Sequence, residues 1–182
     1  MANDDELRET LLKRRDLHRG RLIALHEDRV RLANGHEASR EVIDHPGAVA
    51  IVALDEEGRV VLVRQWRHAA SRATWELPAG TRDRDGEEPA ATAERELAEE
   101  AGLGADSWRD LGSAPLAPGY SSEVMHFFAA TGLRQEQGEP DDDELVRVGR
   151  FTRDEVADLI SDGETDVKTI AGLALAGWTM ER

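Results

Sequence analysis

Three glutamates in one short stretch, Arg95-Glu96-Leu97-Ala98-Glu99-Glu100-Ala101-Gly102-Leu103, are spaced for chemistry. On a helix, positions i, i+3 and i+4 are surface neighbours, so Glu96, Glu99 and Glu100 share a face. Three carboxylates on one stripe repel one another unless water screens them or a cation sits among them. Their oxygens are the hard ligands that divalent cations such as Mg²⁺ take. A solvated acidic helix is the plain alternative. Pro89 suits the first helical position and Gly102 the position just past the end, so the helix has a start and a stop. Ala90, Ala93, Leu97 and Ala101 fall on a different face, which reads as a core contact.

The elements that must hold this helix are legible around it. AVAIVAL after His45-Pro46-Gly47 is a nearly continuous apolar run, the pattern of a strand covered on both faces. Glu56-Glu57-Gly58 is a turn signal, VVLVRQWR the next strand, and TWELPAG a short strand ended by Pro78 and Gly80. Strand patterns recur at 107–112, 123–131 and 145–151, and helical patterns at 153–161 and 166–178. Upstream, residues 4–17 read as a polar helix, 20–33 as a short hairpin turning at Glu27-Asp28, and 38–44 as an alternating strand. Strands and helices interleave without a regular βαβ period. The expected fold class is α/β (α+β): a mixed β-sheet with helices on both faces.

Composition narrows the function classes. The chain has 182 residues, 40% hydrophobic and 34% charged, with a formal net charge of −15. That length suits one domain with extra elements. The acidity argues against nucleic acid as a partner, because such a binder needs a basic footprint. No apolar run is long enough to span a bilayer, and MANDDELRET lacks the apolar core of a signal peptide. Without cysteine there is neither a disulfide nor a thiolate metal site, which is consistent with a cytoplasmic location.

Extended upstream, the stretch becomes Gly80, six residues, Glu87, seven residues, then the Arg95–Leu103 run. This resembles the Nudix box, the signature of hydrolases that cleave a nucleoside diphosphate linked to another moiety. The family has five residues between the glycine and the first glutamate; the extra residue here falls in the turn-like Thr81–Gly86 loop, where insertions are tolerated best. Seven fixed positions at average residue usage would match by chance below about one in 10⁶ per start position. The flanks, EVIDHPGAVAIVALDEEGRVVLVRQWRHAASRATWELPAGT and APGYSSE, resemble the ADP-ribose pyrophosphatase branch, in which a proline stands about sixteen residues past the box glycine, as Pro118 does. The likeness extends over roughly residues 20–178.

The resemblance implies a Nudix fold, an α/β/α sandwich with an N-terminal β extension. Residues 1–45 would hold the N-terminal helix and strands used in dimerisation, and 46–182 the hydrolase domain. It implies a divalent cation, Mg²⁺ or alternatively Mn²⁺ or another ion, held by Glu96, Glu99, Glu100 and the carbonyl of Ala79. Metal neutralises phosphate charge and lowers the pKa of a bound water. Arg95 would hold a carboxylate in place, with Glu87 in support. Arg67 resembles the arginine on the substrate phosphates, where a planar guanidinium suits paired oxygens. Glu76 is placed to pair with Arg67 or to approach the metals. Arg40 and Glu41 match residues near the adenosine, and Pro118, Gly119, Ser121 and Glu123 lie in the loop flanking the terminal ribose. By the same match Glu144 is the catalytic base, with Asp143 its rival in the acidic run. Trp66 and Trp75 fit base stacking or core packing, and His126 a structural strand position.

The leading expectation is therefore metal-dependent hydrolysis of ADP-ribose to AMP and ribose 5-phosphate by a homodimer whose N-terminal strands complete the partner's site. Hydrolysis of another nucleoside diphosphate sugar, such as GDP-mannose or UDP-glucose, differs in the base pocket. A non-catalytic nucleotide-binding module is the reading from a different class, and it has no need of the intact glutamates.

Overall fold

The apolar run forms the central strand. A computed structural model describes residues 4–84, 86–138 and 145–178. In chain order its elements are β1 (Thr10–Arg19), β2 (Ala24–Arg31), β3 (Glu37–Asp44), β4 (Ala48–Ala53), β5 (Val60–Arg67), β6 (Arg72–Glu76), β7 (Ala79–Thr81), α1 (Pro89–Ala101), β8 (Leu103–Pro115), β9 (Val124–Gln135), β10 (Arg147–Phe151), α2 (Arg153–Ser161) and α3 (Val167–Leu175). The chain divides into two units: residues up to Gly47 with Pro115–Val124, and Ala48–Ala114 with Met125 onward.

In the larger unit every residue of β4 is buried. It pairs parallel with β9, from Ala48 opposite Met125 to Ala53 opposite Ala130, and antiparallel with β7, in a mixed sheet of order β7-β4-β9-β8. A second, antiparallel sheet has the order β10-β5-β6. Because successive side chains point to opposite faces, β4 supplies two cores. Val49, Ile51 and Ala53 pack with Ala93 and Leu97 of α1, whereas Ala48, Ala50 and Val52 pack with Leu77, Phe127 and Leu173 of α3. The helices thus cover both faces of the mixed sheet, as the near-continuous apolar run requires. Gly172 lets α3 close in: a Cβ there would sit 2.6 Å from Leu77 Cδ1 and 3.2 Å from Phe127 Cδ1.

α1 begins with Pro89 and ends at Gly102, whose φ of 65° is the left-handed conformation glycine adopts without a Cβ penalty. Its buried residues are Thr92, Ala93, Glu96, Leu97 and Glu100. The expected apolar stripe is corrected by this pattern. Ala90 is exposed and Ala101 half-buried, while two of the glutamates turn inward beside Ala93 and Leu97. α2 begins with a capping box: Glu155 N–H donates to Thr152 Oγ1 at 3.4 Å, and Thr152 N–H to the Glu155 carboxylate at 2.8 Å.

In the smaller unit β1, β2 and β3 form an antiparallel sheet. Two expectations are corrected here. Residues 4–17 are not a helix but a 3₁₀ turn at Asp4–Glu6 followed by β1. The hairpin turns at Gly20–Ile23, where Gly20 N–H donates to Ile23 O at 2.8 Å, so Glu27 and Asp28 lie mid-strand in β2. The cause is cross-strand pairing, which outweighs local propensity. Arg14 Nη2 bonds Asp28 at 2.8 Å, and Arg15 pairs with Glu27, so residues that suit a turn are satisfied within a ladder. The 115–124 loop is tied to β3: Ile43 N–H donates to Tyr120 O at 2.8 Å, and Ser122 N–H to Ile43 O at 2.9 Å.

Candidate active site

β7 and α1 lock together through their carboxylates. A Cβ on Gly80 would fall 1.9 Å from Glu96 Cδ, so glycine is required for the Glu96 carboxylate to lie flat against the strand backbone. Next to it, Ala79 N–H donates to Glu100 Oε2 at 2.9 Å. The Leu77-Pro78 step that delivers this strand is itself held, with Leu77 N–H donating to Thr169 Oγ1 at 3.0 Å.

Arg95 is the hub. Its Nη1 donates to Glu96 Oε1 and to Glu99 Oε2, each at 2.6 Å, while Nε and Nη2 reach Glu87 at 3.3 and 3.2 Å. Thr92 Oγ1 also bonds Glu87 at 2.9 Å. Burial opposes the Arg95 charge, and the hydrogen bonds it donates to Glu87 and Glu99 overcome it, so its pKa moves above the usual range. Glu87, held by Arg95 and Thr92, lies below the ordinary carboxylate range. One guanidinium thus gathers three carboxylates, with Arg84 Nη2 approaching Glu99 at 3.5 Å. Negative charge remains in excess.

A second cluster lies on β5 and β6. Arg67 donates from Nε to Glu76 Oε1 at 2.9 Å and from Nη2 to Oε2 at 2.5 Å. Glu76 is 1% exposed and also accepts from Thr74 Oγ1 at 2.5 Å and from Lys168 Nζ. Burial pushes the Glu76 carboxyl up, but the Arg67 hydrogen bond and the Lys168 charge hold it down at about 2. Glu100 raises the Arg67 pKa as Glu76 does, which puts the two clusters within electrostatic reach of each other. Of the two pairings open to Glu76, the one with Arg67 is made.

The residues expected on the nucleoside and ribose sides, Arg40, Glu41, Pro118, Gly119, Ser121 and Glu123, fall in the smaller unit. Arg40 and Glu41 are successive residues of β3 and so project to opposite faces of the sheet. Arg40 is engaged by Glu9, its Nε lying 3.2 Å from Oε2. Pro118 and Gly119 are exposed in the loop. Ser121 Oγ accepts from Glu123 N–H at 3.1 Å, and Ser122 Oγ from His45 N–H at 3.0 Å. Glu144 and Asp143 lie outside the described residues. Trp75 packs edge-on against Phe151 with ring centroids 4.7 Å apart, whereas Trp66 is 62% exposed. His126 is half-buried, and burial with the nearby Arg82 charge lowers its pKa.

Residues 44–172 match the NUDIX domain. The chain belongs to the Nudix family. Residues 9–43 match the nucleoside diphosphate sugar hydrolase N-terminal domain. The chain is 43% identical to an ADP-ribose pyrophosphatase of Mycobacterium tuberculosis over 164 residues, 88% of this chain and 77% of that one. It is 37% identical to an ADP-ribose pyrophosphatase of Bacillus subtilis over 166 residues, 90% and 89% of the two chains. A solved structure of an ADP compounds hydrolase superposes with a TM-score of 0.81 at 26% identity, covering 92% of this chain and 91% of that one. The chain is a Nudix pyrophosphohydrolase with the Nudix fold.

Nudix hydrolases work with divalent cations, and the donors here suit one. Glu96, Glu99 and Glu100 offer only hard oxygen atoms on a rigid helix, and the cradle at Gly80 leaves room for a carboxylate where a side chain would otherwise stand. Among the described residues no three such groups converge as a ready ligand cage, because Glu96 and Glu99 close on Arg95 and Glu100 on the Ala79 amide. Sequence reasoning did not single out Thr74, Arg84 or Lys168. Lys168 had a faint signal, being one of two lysines in the chain and the one charged residue of a mostly apolar helix.

Proposed function

We propose that this Nudix hydrolase cleaves the pyrophosphate of ADP-ribose to AMP and ribose 5-phosphate with Mg²⁺ as its cation. The observation that carries the chemistry is the set of carboxylates gathered by Arg95 against the side-chain-free surface of Gly80. The choice of ADP-ribose is supported by the two pyrophosphatase relatives, which align over most of this chain.

In this reading Glu96, Glu99, Glu100 and the Ala79 carbonyl hold the cation, which neutralises phosphate charge and acidifies water. Arg95 fixes the carboxylates in register. Arg67 turns its free guanidinium edge to phosphate oxygens. Glu144 takes a proton from the attacking water as its oxygen bonds phosphorus and the bridging P–O bond breaks. Arg40, Glu41, Pro118, Gly119, Ser121 and Glu123 contact the nucleoside and ribose ends. The first 45 residues serve dimerisation, and the remainder is the hydrolase domain. The active form is a homodimer, a reading supported by the exposed edge strand β1, since an open edge invites pairing. The location is cytoplasmic; no helix among the described residues is long and apolar enough to cross a membrane.

The test offers ADP-ribose, GDP-mannose and UDP-glucose to the purified protein with and without Mg²⁺. Metal-dependent release of AMP from ADP-ribose, at kcat/KM well above the other two, is expected. Preference for another sugar nucleotide overturns the substrate, and turnover without any divalent ion overturns the chemistry. The base is tested by Glu144→Gln, which lowers kcat by about 10²–10⁴-fold with little change in KM. Asp143→Asn as the crippled variant moves the base by one residue.

A further inference from the structure

A buried lysine stands behind Arg67, and nothing in the hydrolytic scheme above uses it. Lys168 lies in the first turn of α3 with its side chain 8% exposed, and its Nζ bonds both Glu76 and Asp166. The segment that delivers it is clamped along β6. Trp75 N–H donates to Glu164 O at 2.8 Å, Thr165 Oγ1 donates to Trp75 O at 2.6 Å, and Asp166 caps α3 by accepting from Thr169 N–H at 3.0 Å. The chain uses arginine almost everywhere and lysine only at positions 13 and 168. The choice suits a compact point charge between two carboxylates better than a planar fork would.

The four charges form a chain: Asp166, Lys168, Glu76, Arg67. Arg67 spends Nε and one edge of Nη2 on Glu76, and its side chain is 41% exposed against 2% for Glu76. A closed Arg67–Glu76 pair alone would be neutral and would draw an anion weakly. Lys168 draws on the same Glu76 carboxylate, so less of the Arg67 charge is cancelled and more remains for an incoming phosphate. Asp166 opposes it. Removing Lys168 leaves the group with a net negative charge, and removing the Asp166 charge leaves it net positive.

We propose that Lys168 is a positioning residue which, by sharing Glu76 with Arg67, holds the guanidinium in place and keeps its charge available to the substrate diphosphate. This rests on the reading of Arg67 as the phosphate contact. The two acidic neighbours make the idea separable from a purely structural ion pair, because they demand opposite signs from two substitutions.

The experiment measures KM and kcat for ADP-ribose, and calorimetric Kd for ADP without metal, in Lys168→Met, Asp166→Asn and Arg67→Gln. Lys168→Met raises KM and the ADP Kd about tenfold, as expected for losing one charge at low effective dielectric, and leaves kcat within about twofold. Asp166→Asn preserves the helix cap, because asparagine caps as well as aspartate, and lowers both constants by about threefold. In the Arg67→Gln background the Lys168→Met effect on both constants disappears. Equal weakening by Lys168→Met and Asp166→Asn, or a Lys168→Met effect confined to melting temperature and kcat, overturns the inference. If Lys168→Met does not fold, the sign of the Asp166→Asn change decides. An Arg67→Gln variant with unchanged KM and ADP Kd overturns the phosphate role of Arg67 and the inference with it. If ADP-ribose is not turned over, the substrate reading fails separately, and the ADP Kd values still decide the role of Lys168.

Discussion

β4 and β1 meet opposite fates. β4, AVAIVA, is buried at each of its positions, and β1, TLLKRRDLHR, is exposed at each of its own. The first is held by apolar burial on two faces, a non-directional force proportional to the area removed from water. The second is held by its ladder to β2 and by pairs such as Arg14–Asp28 and Arg15–Glu27, whose arginines are 44% and 66% exposed. Exposed pairs of this kind contribute little in water. Charge divides in the same way. Residues 1–47 carry nine of the 23 lysines and arginines and ten of the 38 acidic residues, so the acidic excess lies in the remainder, where the carboxylates of α1 are concentrated. The contrast teaches that β4 needs nothing beyond its own unit, whereas β1 leaves Leu11, Leu12 and Leu17 exposed by 52%, 37% and 43%.

The largest effect expected is on the chemistry that β4 and α1 support. Glu100→Gln keeps shape and removes one anionic ligand; turnover at saturating Mg²⁺ falls at least about 10²-fold with an unchanged circular dichroism spectrum. Near-normal activity would show that α1 is not the metal helix.

Next comes the core itself. Ile51→Ala, at a fully buried position of β4, costs about 2–5 kcal/mol by urea unfolding. A loss below about 1 kcal/mol would show that the site collapses around the cavity, and would erase the contrast with β1.

Acid sensitivity gives a smaller effect. Burial opposes ionisation of Glu76, while Arg67 and Lys168 hold its folded pKa at about 2, below the ordinary value of 4.5. A depressed carboxylate contributes stability that is fully present above the unfolded pKa and is lost as pH falls towards the folded one. Glu76→Gln therefore lowers the melting temperature most at neutral pH, and its gap from the parent protein narrows between about pH 5 and pH 2. A gap that stays constant over that window would remove the charge from the account.

The smallest effect belongs to β1. Leu12→Ala changes unfolding free energy by no more than about 0.5 kcal/mol in a monomer, as at other exposed sites. The same substitution shifts a monomer–dimer equilibrium measured by sedimentation if β1 is covered by a partner. A substantial stability loss without any change in association would mean that β1 is covered within its own chain.

Most of the local structure was legible in the residues. Pro89 and Gly102 bracketed α1 at its observed ends, VVLVRQWR is β5 residue for residue, and the Gly80, Glu87 and Arg95–Gly102 spacing pointed to the Nudix box. These signals are local: a cap, an apolar run and an i, i+4 spacing each depend on a few neighbours in sequence. The errors fell where partners lie far off. Residues 10–19 carry a polar pattern that reads as a helix, and only the register with β2 makes it a strand. Glu27-Asp28 looks like a turn until Arg14 and Arg15 are placed opposite.

What the sequence alone determined was the class of chemistry and the helix that bears it, because the carboxylates and their spacing are covalent facts of one short segment. The tertiary structure decided which way they face. Glu96 and Glu100 turn towards the sheet because Gly80 has no Cβ and the Ala79 amide points at Glu100. Arg95 can hold Glu87, Glu96 and Glu99 together only because Glu87, eight positions upstream, lies beside its guanidinium. The Lys168–Glu76 contact joins residues 92 positions apart, and no periodicity encodes it. Its physical basis is the cost of burying a lone charge: Glu76 in the interior requires cations, and Lys168 in the first turn of α3 supplies the second of them.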